Sequence, residues 1–461
     1  MWTQDDLAQA FSLKDLILSG GGCTGVSIDS RTIQKGDLFI ALKGENSDGH
    51  AYVKEALSKG ASAAIVQEHY DYLPSAKQIV VLSTQRAMEQ LAEFARKRTN
   101  AKITAITGSA GKTTVKEFLA FILKQFGKTV YSRASYNNAI GVPYSLAHLE
   151  DGTDYGVFEI GMNNPGEIAP LVTMVRPHLA IITSIGESHI GRMGSEEAIA
   201  EEKSEVLRGL NASGAAILPY DTTYFKRLFN KAQSFGLGHI LTFGKKQGAY
   251  AQLLGFSPND QGTGSDVVAR IGDKEYTYTI HIPGEHSALN SLIILLACEV
   301  LGLQLKDVLK FLATFSPVQG RGLRHIIPVK SGHMTLIDDA YNANPSSMRA
   351  GLSVLALTQP TGKGRKIAVL GDMKELGEGS AGYHKALALV IDALGVDLVF
   401  ASGNEMKHLY DCLSLDKRGG YAETVEGLVP KVVRAVHEGD VVFVKGSKSS
   451  YISKIVDAFL R

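Results

Sequence analysis

The apolar run Ile103-Thr104-Ala105-Ile106 leads into the turn Thr107-Gly108-Ser109-Ala110-Gly111-Lys112-Thr113-Thr114, and a helical pattern from Val115 to Phe126 follows. Strand, glycine turn and helix in that order dictate a piece of α/β topology. They place the turn at a helix N-terminus, where free N–H groups and the helix dipole favour anions. Gly108 and Gly111 let the backbone wrap a phosphate without a Cβ in the way. Lys112 reaches the β- and γ-phosphates, and the Thr113 hydroxyl suits Mg²⁺. The strict phosphate-loop pattern wants its first glycine at position 106, which is Ile here, so the turn reads as a T-G-S/T-x-G-K-T-T variant. A loop of this kind predicts ATP binding and does not by itself separate a kinase, a motor and a ligase.

The flanking sequence predicts three domains. Up to residue 97, the apolar stretch Leu38–Leu42, a helical pattern from Tyr52 to Lys59 and the strand Ala63–Val66 read as a small α/β domain. A helix from Gln85 to Arg98, basic at its C-terminus, links it onward. Residues 98–318 alternate near-continuous apolar strands (Lys102–Thr107, Tyr155–Ile160, Leu179–Ser184, Ala215–Leu218) with helices, the pattern of a parallel sheet covered on both faces. Ile240 to Ile282 read as added antiparallel hairpins, followed by a helix from Ser287 to Leu301. Residues 319–461 alternate strands and helices again, as in a second, Rossmann-like doubly wound module.

At 461 residues the chain is too long for one core. Its Lys+Arg count of 48 against 47 Asp+Glu gives no bulk pull toward nucleic acid or anionic membrane. No run reaches the roughly 18 uninterrupted apolar residues of a spanning helix. The best candidate, Leu289 to Leu303, is broken by Asn290, Ser291 and Glu299. Cys23, Cys298 and Cys412 show no metal spacing and fit a reducing compartment, and the N-terminus lacks a secretory pattern, so a cytoplasmic location is expected.

Three further residues stand out. Glu159 ends a strand, at the crevice where doubly wound sheets hold ligands, and could bind Mg²⁺. His189 sits after another strand in Gly186-Glu187-Ser188-His189-Ile190-Gly191-Arg192. Lys203 lies in Glu201-Glu202-Lys203-Ser204-Glu205, which on composition alone is a solvated helix face.

Taken in order, these motifs resemble the Mur ligase family over essentially the whole chain. Ile28-Asp29-Ser30-Arg31 and Asp48-Gly49-His50 are similar to its N-terminal nucleotide-sugar domain. The segments Thr107–Thr114, Asn137–Pro143, Glu159-Ile160-Gly161 and His189-Ile190-Gly191 match its central ATPase domain. Asp338-Asp339-Ala340-Tyr341-Asn342-Ala343-Asn344-Pro345 and Leu370-Gly371-Asp372-Met373-Lys374-Glu375-Leu376-Gly377 resemble the branch that adds a dipeptide. Read blandly, Asn342, Asn344 and Pro345 shape a turn and a helix cap, Arg321 is a linker charge and Asp372 a turn acid.

The resemblance implies an ATP-dependent amide ligase that joins D-Ala-D-Ala to UDP-MurNAc-tripeptide through an acyl phosphate. Gly108, Ser109, Ala110, Gly111, Lys112, Thr113, Thr114, Asn290, Arg321 and Asp339 would bind ATP. Lys112, Glu159, His189 and Lys203 would be catalytic. Two Mg²⁺ ions would be held by Thr113, Glu159, His189 and a carbamylated Lys203. Ser30, Arg31, Asp48, Gly49, His50, Asn137 and Asn138 would meet the UDP-linked substrate. Ser287 stands where the family's adenine-side motif has its first Asn, and Lys448 where a second motif has Arg. A monomer that neither binds nucleic acid nor enters a membrane is expected. Relatives that add an amino acid to a muropeptide or glutamate to folate are the rivals within the class, and a nucleotide-gated binding protein is the rival outside it.

Overall fold

The computed structural model describes residues 1–14, 16–44, 47–259 and 263–461. Lys102–Thr107, the strand that delivers the glycine turn, lies inside a nine-stranded sheet, between Leu179–Ile182 and Tyr155–Glu159. All its pairings there are parallel. Every one of these strands is fully buried apart from Lys102, as expected for parallel strands covered by helices on both faces. After Lys102–Thr107 the chain crosses first to the Thr129–Tyr131 edge and later to the opposite side, so strand order reverses beside this strand. Crevices at such switch points, outside the carboxyl ends of the strands, hold ligands.

The segment after Ile240 departs in part from the expected hairpins. His239–Gly244 runs parallel to Ala215–Pro219, and Ala251–Pro258 continues in the same direction. The reason is burial: residues 241–244 are buried in succession, Thr242 included, as in a strand covered on both faces. Antiparallel pairing begins only with Ala251–Pro258, Ser265–Ile271 and Lys274–Ile280, whose residues alternate between buried and exposed faces. Helix Glu285–Val300 covers this sheet, with Leu292 through Cys298 buried on every side. Phe118 stacks on Phe315 at 4.3 Å beneath it. Each such side chain contributes roughly 1.5–3 kcal/mol by leaving water.

Upstream, Gly25–Ser27, Asp37–Ile40, Ala63–Val66 and Gln78–Val80 form a four-stranded parallel sheet. Helix Thr84–Arg98 connects it to the nine-stranded sheet and is pinned at its C-terminal end. The Arg98 guanidinium covers Trp2 at 4.1 Å and pairs with Asp6 at 2.9 Å, while Trp2 Nε1 donates to the Ala147 carbonyl at 3.2 Å.

Downstream, a six-stranded sheet is ordered Leu323–Val329, Gly332–Asp339, Val441–Lys445, Lys366–Gly371, Leu398–Ser402 and Arg418–Ala422. Only its first pair is antiparallel. The carboxyl ends of Gly332–Asp339, Val441–Lys445 and Lys366–Gly371 present Asp339, Lys445 and Gly371, the first and last from the sequence motifs noted above. Among the described residues no helix is long and apolar enough to cross a membrane.

Candidate active site

Gly111 adopts φ +83°, a left-handed conformation that glycine tolerates, and is the N-cap of helix Lys112–Leu123. The helix thus begins at Lys112 and not at Val115, because the glycine turns the chain directly into it. A Cβ on Gly108 would lie 2.0 Å from Thr183 Oγ1, so only glycine lets the loop pass the neighbouring strand end. Loop shape is enforced from that strand. Ser109 N donates to Ser184 O at 2.9 Å, Ala110 N to Ser184 Oγ at 2.8 Å, and Ser109 Oγ to Gly186 O at 2.9 Å. Ser109 and Ala110 therefore hold the loop, and Thr114 continues the first helical turn.

Inside this cradle Lys112 Nζ folds back onto Gly108 O at 2.5 Å. Thr113 Oγ1 donates to Glu159 Oε2 at 2.9 Å, and Asn137 Nδ2 donates to Glu159 Oε1 at 2.7 Å. Asn137 thus orients the carboxylate at the strand end, next to the phosphate loop. Arg321 Nη2 reaches in from the C-terminal region to Thr113 Oγ1 at 3.1 Å, its guanidinium stacked on Tyr341 at 4.2 Å. Burial pulls the Lys112 ammonium below its ordinary value, countered by Glu159 and reinforced by Arg321. Such an underneutralised cationic cleft suits a polyphosphate.

Lys203, read blandly as a solvated lysine, is only 1% exposed. Burial, then the charge of Lys112, drives its ammonium well below the ordinary lysine range, with Glu202 opposing. Neighbouring Glu202 accepts from Gly166 N at 2.8 Å and Ile168 N at 2.9 Å, so its charge is used at the start of helix Ile168–Val175.

His189 takes a left-handed conformation, φ +64°. Its Nδ1 lies 2.5 Å from Glu375 Oε2, a close contact that does not meet hydrogen-bond geometry. Glu375, itself at φ +65°, is held below the usual carboxylate range by His189. Its carbonyl accepts from Gly191 N at 3.0 Å. Gly191 and Gly377 face each other so closely that a Cβ on Gly191 would stand 2.6 Å from Gly377 N. Asn344 both caps helix Pro345–Leu357 and donates to Ser109 O at 3.2 Å and to Ser188 Oγ. Arg349 pairs with Glu187 at 3.2 Å. The C-terminal motifs are therefore docked on the phosphate loop and its neighbour. Sequence reading had assigned no partner to Glu375, Asn344 or Arg349.

Asn290 Oδ1 would lie 3.3 Å from a Cβ on Gly111, which places Asn290 against the loop. Asp339 pairs with Lys445 at 2.6 Å, and both stand near His286, an exposed residue of the Gly284–Asn290 segment. Ser287 turns inward onto Pro283 O at 3.2 Å.

The N-terminal candidates divide. Arg31 is exposed and pairs with Asp29 at 2.6 Å. Ser30 is buried, its carbonyl accepting from Lys59 Nζ at 3.2 Å. His50 has both ring nitrogens engaged, Nδ1 with Asp48 at 2.6 Å and Nε2 with Gln67 N at 3.1 Å. A Cβ on Gly49 would strike Leu42 O at 2.7 Å. Asp48-Gly49-His50 thus builds a turn, and Asn138 Oδ1 accepts from Gly141 N at 2.8 Å just ahead of helix Gly141–Leu146.

Oxygen donors at Thr113 and Glu159 fit Mg²⁺ bound by one carboxylate plus phosphates and waters. Among the described residues no group of three or more His, Cys, Asp and Glu side chains forms a cation cage, so the site does not suit a metal held by protein alone.

Family models match in three segments: the Mur ligase family catalytic domain over residues 23–99, the Mur ligase middle domain over 106–298, and the Mur ligase glutamate ligase domain over 326–448. The UDP-N-acetylmuramoyl-tripeptide–D-alanyl-D-alanine ligase of Rickettsia prowazekii is 32% identical over 459 residues, covering 100% of both chains. The ligase of the same name from Escherichia coli is 31% identical, over 98% of this chain and 97% of its own. A crystal structure of MurF from Acinetobacter baumannii superposes with a TM-score of 0.85 at 29% identity, covering 100% of this chain and 99% of that one. The MurF ligase from Thermotoga maritima, solved in complex with ADP, gives 0.79 at 26% identity over 97% and 98%. The chain belongs to the Mur ligase family, on the branch of the D-alanyl-D-alanine-adding ligases.

Proposed function

We propose that this ATP-dependent ligase joins the amine of D-Ala-D-Ala to the terminal carboxylate of UDP-MurNAc-tripeptide, for peptidoglycan synthesis. The observation that carries the reading is the convergence of the phosphate loop, Glu159 and Arg321 at one point, with the dipeptide-branch motifs docked over it.

In this reading Gly108 to Thr114, Asn290, Arg321 and Asp339 bind ATP. Lys112 and the loop amides draw charge off the γ-phosphate as the substrate carboxylate attacks it. Mg²⁺ at Thr113 and Glu159 would neutralise the two anions being brought together. His189 and a carbamylated Lys203 would complete a second cation position. The depressed basicity of Lys203 favours the neutral amine, the form that takes up CO₂. Attack gives an acyl phosphate and releases ADP; the amine then adds to its carbonyl, phosphate leaves with loss of the amine proton, and an amide remains. Glu375, Gly377 and Asn344, pressed on the His189 and Ser109 loops, exclude the water that would hydrolyse that intermediate. Arg31 would meet the UDP-linked substrate, while Asp48, Gly49, His50 and Asn138 shape its surroundings and Asn137 orients Glu159. The domain limits at 98 and 319 are part of the proposal; the separate sheets on either side of each support them. So are a cytoplasmic location and a monomeric state.

The test is ATP-dependent phosphate release with UDP-MurNAc-tripeptide and a panel of acceptors. D-Ala-D-Ala should support turnover where single amino acids do not, and Lys112→Ala should abolish it with circular dichroism unchanged. Turnover with glutamate or another single amino acid would replace this reading by that of a sibling ligase. ATP binding without product would replace it by a nucleotide-gated binding protein.

A further inference from the structure

At the opposite end of the strand that delivers the phosphate loop lies a second cleft, about 370 Å³ in volume, walled by Arg96, Lys97, Arg176, His178 and Asn211. Lys102–Thr107 separates the two sites by its own length, roughly 17–20 Å at 3.3 Å per residue. No acidic residue is among those lining the cleft.

Arg96 is partly buried at the end of helix Thr84–Arg98. Its Nε donates to Val175 O at 2.8 Å and its Nη2 to Arg176 O at 2.7 Å, so the guanidinium is held by the last turn of helix Ile168–Val175. Those bonds use two of its five N–H donors. Cations do favour helix C-termini, which accounts for Arg96 by itself. The same dipole favours the charge of Arg176 but does not account for its backbone. That residue closes helix Ile168–Val175 at φ +45°, in the left-handed conformation for which glycine is the unstrained choice. A long cationic side chain stands there instead, beside Arg96. His178 is fixed too: its Nδ1 accepts from Ile103 N at 2.9 Å, so the neutral ring carries its proton on Nε2, a further donor.

The lining of the cleft itself is electrostatically one-sided, while the adjoining groove that Lys97 and Arg176 also border carries Glu89, Glu93 and Glu167. The Arg96 guanidinium is brought down to about 10, first by burial and then by the charge of Arg176. His178 is lowered by burial and then by Arg96 and Lys102. Every charge acting on either group is positive.

We propose that this cleft is a binding site for a small multivalent oxyanion of the phosphate class, held by Arg96, Lys97, Arg176 and His178 and separate from the ATP site. An anion there would neutralise adjoining cations that the protein leaves uncompensated, and guanidinium forks match tetrahedral oxyanions in geometry. Free phosphate and the phosphates of a nucleotide share this chemistry, and the experiment distinguishes them.

Titration calorimetry of the full chain, at constant ionic strength, uses inorganic phosphate as the first probe and ADP as the second. Phosphate should bind the wild-type chain and the Lys112→Ala variant alike, because the cleft is remote from the phosphate loop. The double variant Lys97→Ala/Arg176→Gly should lose at least tenfold in phosphate affinity. Glycine suits the backbone at position 176, and the hydrogen bond there uses the carbonyl, so the thermal midpoint in phosphate-free buffer should be unchanged or higher. A loss confined to inorganic phosphate assigns the free oxyanion, and an equal loss for ADP extends the site to nucleotide phosphates. Absence of phosphate binding to the wild-type chain, its disappearance in Lys112→Ala, or unchanged affinity in the double variant would each overturn the proposal.

Discussion

Lys203 shows at the residue scale how far burial can change what a lysine does. An ammonium disfavoured in the folded chain but not in the unfolded one means that the unfolded chain binds more protons. Stability from this group is therefore lowest below its folded value and rises with pH up to the ordinary lysine range. Urea unfolding between pH 7 and 10 should show that upward contribution in the wild-type chain and lack it in Lys203→Met, which should also be the more stable protein near neutrality. An equal pH slope in both would contradict the burial argument. Lys203→Ala should lose ligation and recover part of it in short carboxylic acids; full activity of that variant without rescue would dispose of the carbamate. The sequence around Lys203 reads as a charged helix face, and nothing in its spacing reveals that it lies against Lys112, which comes from a distant segment. Lys112, Thr113 and Glu159 were legible because a glycine turn opening a helix places the first two and a strand end the third.

Elements in this chain are positioned by single polar contacts at their ends. Glu202 accepts the N–H groups of Gly166 and Ile168 and so anchors helix Ile168–Val175. Glu202→Ala should destabilise the fold by about 1.5–3 kcal/mol, the range for buried hydrogen bonds to a charged group, as measured by chemical denaturation. A loss under about 0.5 kcal/mol would mean that water replaces the carboxylate. Strand and helix limits followed the hydrophobic period closely where burial is two-sided, as in Lys102–Thr107, Ala63–Val66 and Val441–Lys445. His239–Gly244 did not read correctly, because a short apolar run next to alternating strands looks like one of them until the covering helices are known.

For the molecule as a whole, the decisive contacts join segments far apart in sequence. Glu375 meets His189, Asn344 meets Ser109, and Arg321 meets Thr113. Motifs marked these segments as belonging together, but their pairing depends on how the C-terminal sheet docks, which no local pattern encodes. Gly377→Ala tests the docking. It strains a backbone at φ +63° and sets a Cβ 2.9 Å from Gly191 Cα. Ligation should fall by at least tenfold while ADP affinity, supplied by the phosphate loop, changes little. Loss of ADP affinity in step with activity would show that the variant damages the nucleotide site instead.

The central claim is that the carboxylate of the substrate, activated by ATP, becomes the amide. UDP-MurNAc-tripeptide labelled with ¹⁸O on both oxygens of its terminal carboxylate, incubated with ATP and D-Ala-D-Ala, tests it through mass analysis of the products. The account predicts one ¹⁸O in the released inorganic phosphate and one retained in the new amide carbonyl. Unlabelled phosphate accompanying amide formation, or phosphate released without any amide, would contradict it.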